Sequence, residues 1–293
     1  MPQSNIKTWL DFASQQMAAE SYLDGIDLSS PEEVARFLKL GNNREGFPPT
    51  SFTRFTDLDP QIVPNADQIT GSAQAFVARY QVVDHHANDA SGFSATLLYD
   101  TQTNSYTLSF RSTEYRLQSD GGDRERDGGA GADGELSGNG FAFGQLAAME
   151  QYYSDLKASG KLPTGTTLNV TGYSLGGHLA TVFTELHSDE INHTYTFNGA
   201  GRGVFNADPA LGNAGTLSAM IQFYQAVLTD PSAGWDPSFA GDTDLEAAFN
   251  AANNVHGPIN DTNLYQDPRE HWAVLAASRK YVTQFPLLSG TGL

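Results

Sequence analysis

Apolar residues recur along this chain with two spacings, one helical and one strand-like, and their order predicts the architecture. Across residues 1–40, Trp9, Phe12, Met17, Tyr22 and Leu23 are dispersed among polar residues, as on an amphipathic helical stretch. Ser30-Pro31-Glu32-Glu33 reads as a helix start: Ser30 as N-cap, Pro31 at the first helical position, acids in the first turn, and Gly41 as the stop. Residues 41–71 are loop-rich, with Pro48, Pro49, Pro60 and Pro64. Three strand-like runs follow, Phe76–Val83, Phe93–Asp100 and Ser105–Arg111, and Thr101–Asn104 is short enough to join the last two as a hairpin.

Between Asp120 and Glu135 the pattern changes. Asp120, Asp123, Glu125, Asp127, Asp133 and Glu135 are interspersed with glycines, which predicts a long loop with little capacity to bury itself. From Phe141 to Lys157, Phe143, Leu146, Met149, Tyr152, Tyr153 and Leu156 fall on one helical face. Further on come a strand at Thr194–Asn198, a helix over Thr216–Leu228, and short helices near 244–252 and 268–282. A meander followed by alternating strands and helices predicts an α/β mixed sheet flanked by helices, in a single domain over 1–293. Residues 1–70 would form an N-terminal helical and loop extension packed on it, and 114–140 an acidic, lid-like loop.

One segment carries a chemical signature. Thr171-Gly-Tyr-Ser-Leu-Gly-Gly-His178 contains Gly172-x-Ser174-x-Gly176, the nucleophile-elbow frame that places a serine on a sharp strand-to-helix turn. The frame alone is common in a chain with 29 glycines, so its surroundings decide. Upstream, Thr167–Thr171 alternates like a strand; downstream, Leu175, Leu179, Val182, Phe183 and Leu186 line one helix face. Strand, turn and helix occur in the order the frame requires, and the ligand site of such a sheet lies at the carboxyl ends of its strands.

A serine nucleophile needs a base, an acid that orients the base, and donors for the oxyanion. In this fold class the order is serine, acid, histidine, which leaves His256 and His271 of the seven histidines. His271 is favoured because it lies latest, and Asp261 is favoured over Asp230 as the acid. His85 and His86 end a strand and are expected at the surface, while His178, one turn beyond Ser174, is expected to be structural. The Leu175 N–H is one oxyanion donor by geometry. The turn Phe110-Arg111-Ser112-Thr113 suits the second, through Thr113.

These pieces resemble the class 3 (fungal-type) lipases and, more closely, bacterial lipase or phospholipase A1 proteins sharing that core, over roughly residues 75–205. The pattern Phe-Arg-Gly-(Ser/Thr) is similar to Phe110–Thr113, with Ser112 where the pattern has glycine; Gly-(His/Tyr)-Ser-Leu-Gly-Gly is similar to Gly172–Gly177. The resemblance implies an α/β-hydrolase acting on lipid or other acyl esters, with an apolar acyl groove gated by a loop.

Charge narrows the partners. A formal net charge of −18 repels nucleic acid and anionic membrane surfaces. No apolar run approaches the length of a membrane span, and with no cysteine there is no disulfide framework or thiolate nucleophile. Acyl transfer through serine requires no cofactor. The acidic loop offers carboxylates that suit calcium but lacks the Asp-x-Asp-x-Asp-Gly spacing of an EF-hand, so a solvated lid is the expectation. The start of the chain has no signal-peptide apolar region, which leaves export without a cleaved signal, the extracellular reading, beside a cytoplasmic one.

Overall fold

The computed structural model describes residues 3–40, 71–114, 117, 123–128, 131–205, 209–229 and 282–283. The chain falls into two compact units: Met1–Asp89, Phe93–Arg124 and Tyr152–Ala200 in one, Ala90–Gly92, Glu125–Gln151 and Gly201–Leu293 in the other.

The first unit is built on a five-stranded sheet in the order β1 (Tyr80–His86), β2 (Ala95–Asp100), β3 (Ser105–Phe110), β4 (Leu168–Tyr173), β5 (Ile191–Phe197). The first three strands form the antiparallel meander, and β3–β4–β5 run parallel. Parallel neighbours need a crossover, usually a helix. The crossovers lie at α6 (Phe143–Ala158) and α7 (Leu175–Leu186). The interior strand β4 is paired on both edges and is buried along nearly its whole length, as a strand covered on both faces must be. From α7, Phe183 packs edge-on against Phe110 of β3, with ring centroids 5.5 Å apart. Helix α1 (Gln3–Ala19) also meets the sheet, with the Phe12 ring stacked 4.0 Å from Tyr195 of β5. Trp9, one turn earlier, remains 55% exposed although its ring meets Tyr195 and Phe197 edge-on.

Helix α2 (Pro31–Leu40) starts as expected, with the Glu33 N–H donating to Ser30 Oγ at 3.3 Å and the Val34 N–H to the Ser30 carbonyl at 3.0 Å. It packs in an apolar cluster with helix α3 (Gly71–Val77) and strand β1 that includes Leu38, Ala73, Phe76 and Val82. The expected strand over 76–83 is therefore corrected at its start. Ala73 and Phe76, three apart, bury one helical face, and β1 begins only at Tyr80. Arg79 marks the junction, holding Asp100 bidentately at 3.0 and 2.7 Å and Asp11 at 2.9 Å.

In the second unit the acidic stretch is also corrected. It contains α4 (Arg124–Asp127) and α5 (Ala132–Asn139), and Asp127 and Glu135 are buried instead of solvated. Gln145 Nε2 donates to Asp127 Oδ1 at 2.7 Å and the Gly144 N–H to Glu135 Oε2 at 3.3 Å, so local donors offset the cost of burying charge. Helix α8 (Gly212–Thr229) buries Leu217, Met220 and Ile221 on one face. A short ribbon pairs β6 (Val204–Phe205) with β7 (Val282–Thr283). The helices expected near 244–252 and 268–282 lie outside the described residues. Among the described residues no helix is long and apolar enough to cross a membrane.

Candidate active site

The site starts from a backbone anomaly. Between β4 and α7, Ser174 has φ 53° and ψ −116°, a left-handed φ that costs a non-glycine residue about 1–3 kcal/mol. Such strain persists only where the surroundings over-determine it, and here they do. The Ser174 N–H donates to the Phe197 carbonyl of β5 at 3.2 Å. Its own carbonyl accepts from Gly177, His178 and Ala200 N–H groups at 3.0, 3.2 and 3.0 Å.

Glycines make the turn tight enough to hold. A Cβ on Gly172 would overlap the Gly176 carbonyl oxygen, and one on Gly177 would stand 2.5 Å from Gly199 Cα. A Cβ on Gly176 would overlap the Phe110 carbonyl and lie 2.7 Å from that of Arg111. The first turn of α7 thus presses on the turn leaving β3. Since Phe110 pairs with Gly172 in register, Ser174, Leu175 and the turn carrying Thr113 share one end of the sheet. Ser174 and Thr113 are half-buried there; Leu175 is buried, its N–H among the first of α7, where helical N–H groups lack intrahelical acceptors and the helix dipole favours negative charge. Strand, strained turn and helix stand on a mixed sheet with a parallel half. The fold is α/β-hydrolase-like.

Three solved lipases align with the chain. They are Lip2 lipase from Yarrowia lipolytica, at 13% identity and a TM-score of 0.42 over 77% of this chain and 66% of that one; lipase II from Rhizopus niveus, at 14% and 0.36 over 68% and 64%; and a lipase from Rhizopus microsporus var. chinensis, at 12% and 0.37 over 68% and 59%. The aligned part thus spans just under two thirds of the first of these and less of the others. No protein-family model and no curated protein matches the chain.

Of the remaining expected site residues, Asp261 and His271, with their alternatives Asp230 and His256, lie outside the described residues. Five histidines are described. His178 is wholly buried on α7. His187, at the far end of α7, packs against Tyr153 and Phe183 with centroids 4.7 and 4.6 Å away. His193, near the start of β5, lies over Tyr195. His86 meets Phe93 and Tyr152 and contacts Asp89 Oδ2 at 3.3 Å. His85 was expected at the surface, yet its side chain is only 2% exposed, with Nδ1 2.9 Å from Thr96 Oγ1 and Nε2 3.1 Å from Asp24 Oδ1. Burial pushes the His85 ring below its ordinary pKa against the pull of Asp24, and the His85 hydrogen bond holds Asp24 below the usual carboxylate range. Among the described residues no group of three or more His, Asp or Glu side chains is arranged to hold a metal ion.

Sequence reasoning missed the polar residues beneath the 111–114 turn. Arg111 Nη2 donates to the Glu20 carbonyl at 3.0 Å, Arg111 Nη1 meets Glu114 Oε1 at 2.9 Å, and the guanidinium lies 4.1 Å over the Tyr22 ring. Tyr22 and Asn88 also donate to Glu114, at 3.1 and 2.8 Å. Burial pushes the Glu20 carboxyl above its ordinary range, opposed by the Arg111 charge and by hydrogen bonds from Ser112 and Gln16. The available signal was Gln16 and Glu20, four apart, at core positions next to Ala18 and Ala19.

Proposed function

We propose that this protein is a serine carboxylic-ester hydrolase of triacylglycerol lipase or phospholipase A1 type. The observation that carries the reading is Ser174, held at φ 53° where a parallel strand turns into a helix. A serine in that strained turn, with glycines where side chains would collide, suits a nucleophile presented at a strand end. The likeness of Phe110–Thr113 and Gly172–Gly177 to class 3 lipase motifs, and to bacterial lipase and phospholipase A1 proteins, selects an acyl ester as the substrate.

In this reading the Ser174 hydroxyl oxygen bonds to the acyl carbonyl carbon while its proton passes to an imidazole, assigned to His271 and oriented by Asp261, with His256 and Asp230 as the alternatives. The carbonyl oxygen takes up the negative charge and is stabilised by the Leu175 and Thr113 N–H groups. The alcohol leaves with the imidazole proton. Water then attacks the acyl-Ser174 ester, giving a proton to the imidazole; the bond from the acyl carbon to Ser174 Oγ breaks, Oγ takes that proton back, and the free acid is released. No cofactor enters this chemistry; the protein acts outside the cell by export without a cleaved signal, with the cytoplasm as the alternative.

The test is p-nitrophenyl ester turnover with fluorophosphonate labelling. Wild type turns over and is labelled at Ser174; Ser174→Ala loses both and keeps the wild-type unfolding transition. A folded wild type that is neither active nor labelled would instead be a non-catalytic hydrolase-like binding module.

A further inference from the structure

Besides the Arg111 N–H, which donates to the Ser94 carbonyl at 3.0 Å, the turn after β3 is tied to the end of α1, through Gln16 and Glu20. Ser109 Oγ donates to Gln16 Oε1 at 2.9 Å, and Gln16 Nε2 donates both to the Phe110 carbonyl at 3.0 Å and to Glu20 Oε1 at 2.7 Å. Glu20 then takes Ser112 twice, its Oε1 accepting from the Ser112 N–H at 3.1 Å and its Oε2 from Ser112 Oγ at 2.8 Å. From Ser109 to Ser112 each residue is tied to Gln16 or Glu20, Arg111 through the Glu20 carbonyl. All these groups belong to the same compact unit and are buried, where a hydrogen bond is strong and an unmade one is costly.

We propose that Glu20 is a positioning residue for the oxyanion turn, gripping Ser112 by amide and hydroxyl so that the adjoining Thr113 donor is fixed at the nucleophile's end of the sheet. This rests on the hydrolase reading above. Ser112 occupies a position where the lipase-like pattern has glycine, and the carboxylate gives its hydroxyl a function: the side chain becomes the second point of a two-point grip. Glutamate suits the place because both carboxylate oxygens accept, one from the amide and one from the hydroxyl. Glutamine would offer a single acceptor oxygen and set its own N–H groups against one of these donors.

An oxyanion donor acts only on charge that develops in the transition state, so misplacing it lowers kcat and leaves KM nearly unchanged. Losing such a donor costs about 100- to 1,000-fold, and a shift of about 1 Å can cost 100-fold. We therefore expect Glu20→Ala to lower kcat for a p-nitrophenyl ester about 30- to 100-fold and Glu20→Gln about 10-fold, with KM within about 2-fold of wild type. Glu20→Gln combined with Ser112→Ala should cost little more than the worse single change, because both remove the same grip.

The experiment measures kcat and KM for wild type, Glu20→Gln, Glu20→Ala, Ser112→Ala and the double variant, with amide hydrogen exchange across residues 109–114 in each. Faster exchange at Ser112 and Thr113 with the loss in kcat supports the grip; if Glu20→Ala fails to fold, the Gln and Ser112 variants carry the result. Unchanged exchange, additive losses, or a KM effect with kcat intact would overturn it. If the wild type neither turns over nor takes a fluorophosphonate, the hydrolase reading is what fails. The exchange measurement then still decides whether Glu20 holds the turn, and unchanged protection in its variants refutes that.

Discussion

Gly172, the penultimate residue of β4, lies so close to Gly176 on the first turn of α7 that a methyl group on it would overlap the Gly176 carbonyl oxygen. The obstacle is backbone, so no rotamer change relieves it. We expect Gly172→Ala to destabilise the protein by about 2–3 kcal/mol, the cost of forcing extra volume into a packed site, and to displace Ser174. Gly160→Ala is the contrast: its φ of 74° is left-handed, as that of Gly172 is not, and nothing lies within 4 Å of the added Cβ. It should cost about 1 kcal/mol from backbone strain alone. Denaturant unfolding of the two variants separates the collision from the strain; equal losses would show that the close approach is relieved elsewhere.

Ser174 holds its left-handed φ against its own side chain, whereas glycine adopts that conformation without strain. Ser174→Gly is therefore expected to raise the unfolding free energy by about 1 kcal/mol while abolishing ester turnover. A gain in stability together with loss of activity marks strain kept for function. A Ser174→Gly variant less stable than Ser174→Ala in the same titration would contradict the strain argument.

What could be read from the sequence was local. The elbow needs glycines two residues either side of a serine, and a strand and a helix that adjoin it in the chain, so residues 167–186 contained the whole argument. The Ser30 cap and the β2–β3 hairpin were legible for the same reason. The misreadings were tertiary. Phe76 and Val77 look like strand residues until Ala73 is known to bury the same helical face. His85 looks exposed until Thr96 and Asp24 close around its ring. Asp127 and Glu135 look like solvated loop acids until Gln145 and Gly144 supply donors. Glu20 and Ser112 are 92 residues apart, and nothing near either one announces the other.

Arg111 and Glu114 form an ion pair at 2.9 Å with side chains only 2% and 0% exposed. Removing one member of such a pair leaves a buried charge uncompensated, at a cost of about 3–5 kcal/mol. Glu114→Ala also takes the acceptor from Tyr22 and Asn88. It should destabilise by at least about 3 kcal/mol and lower the midpoint of urea unfolding without changing the slope. A loss below about 1 kcal/mol would mean that the pair is open to water.

His85 predicts an acid-side loss of stability. Its ring is buried beside Asp24 and Thr96, and burial lowers its folded pKa, with the nearby Arg111 and His86 charges acting in the same direction and Asp24 opposing them. The neutral ring donates from Nε2 to Asp24 and accepts at Nδ1 from Thr96. In the unfolded chain the ring titrates near about 6.5, so below that pH the unfolded state binds a proton that the folded state still refuses. Stability is then complete above about pH 6.5 and falls as pH drops toward the folded pKa, by at most about 1.4 kcal/mol per pH unit. Asp24, held low by the His85 bond, contributes in a separate window, losing its stabilisation only as pH falls below about 4. Urea unfolding free energies at pH 7.5 and 5.5 should therefore differ in the wild type by an acid-side loss that is smaller or absent in His85→Gln, which lacks the titrating ring. An equal difference in both proteins would assign the acid sensitivity to other groups.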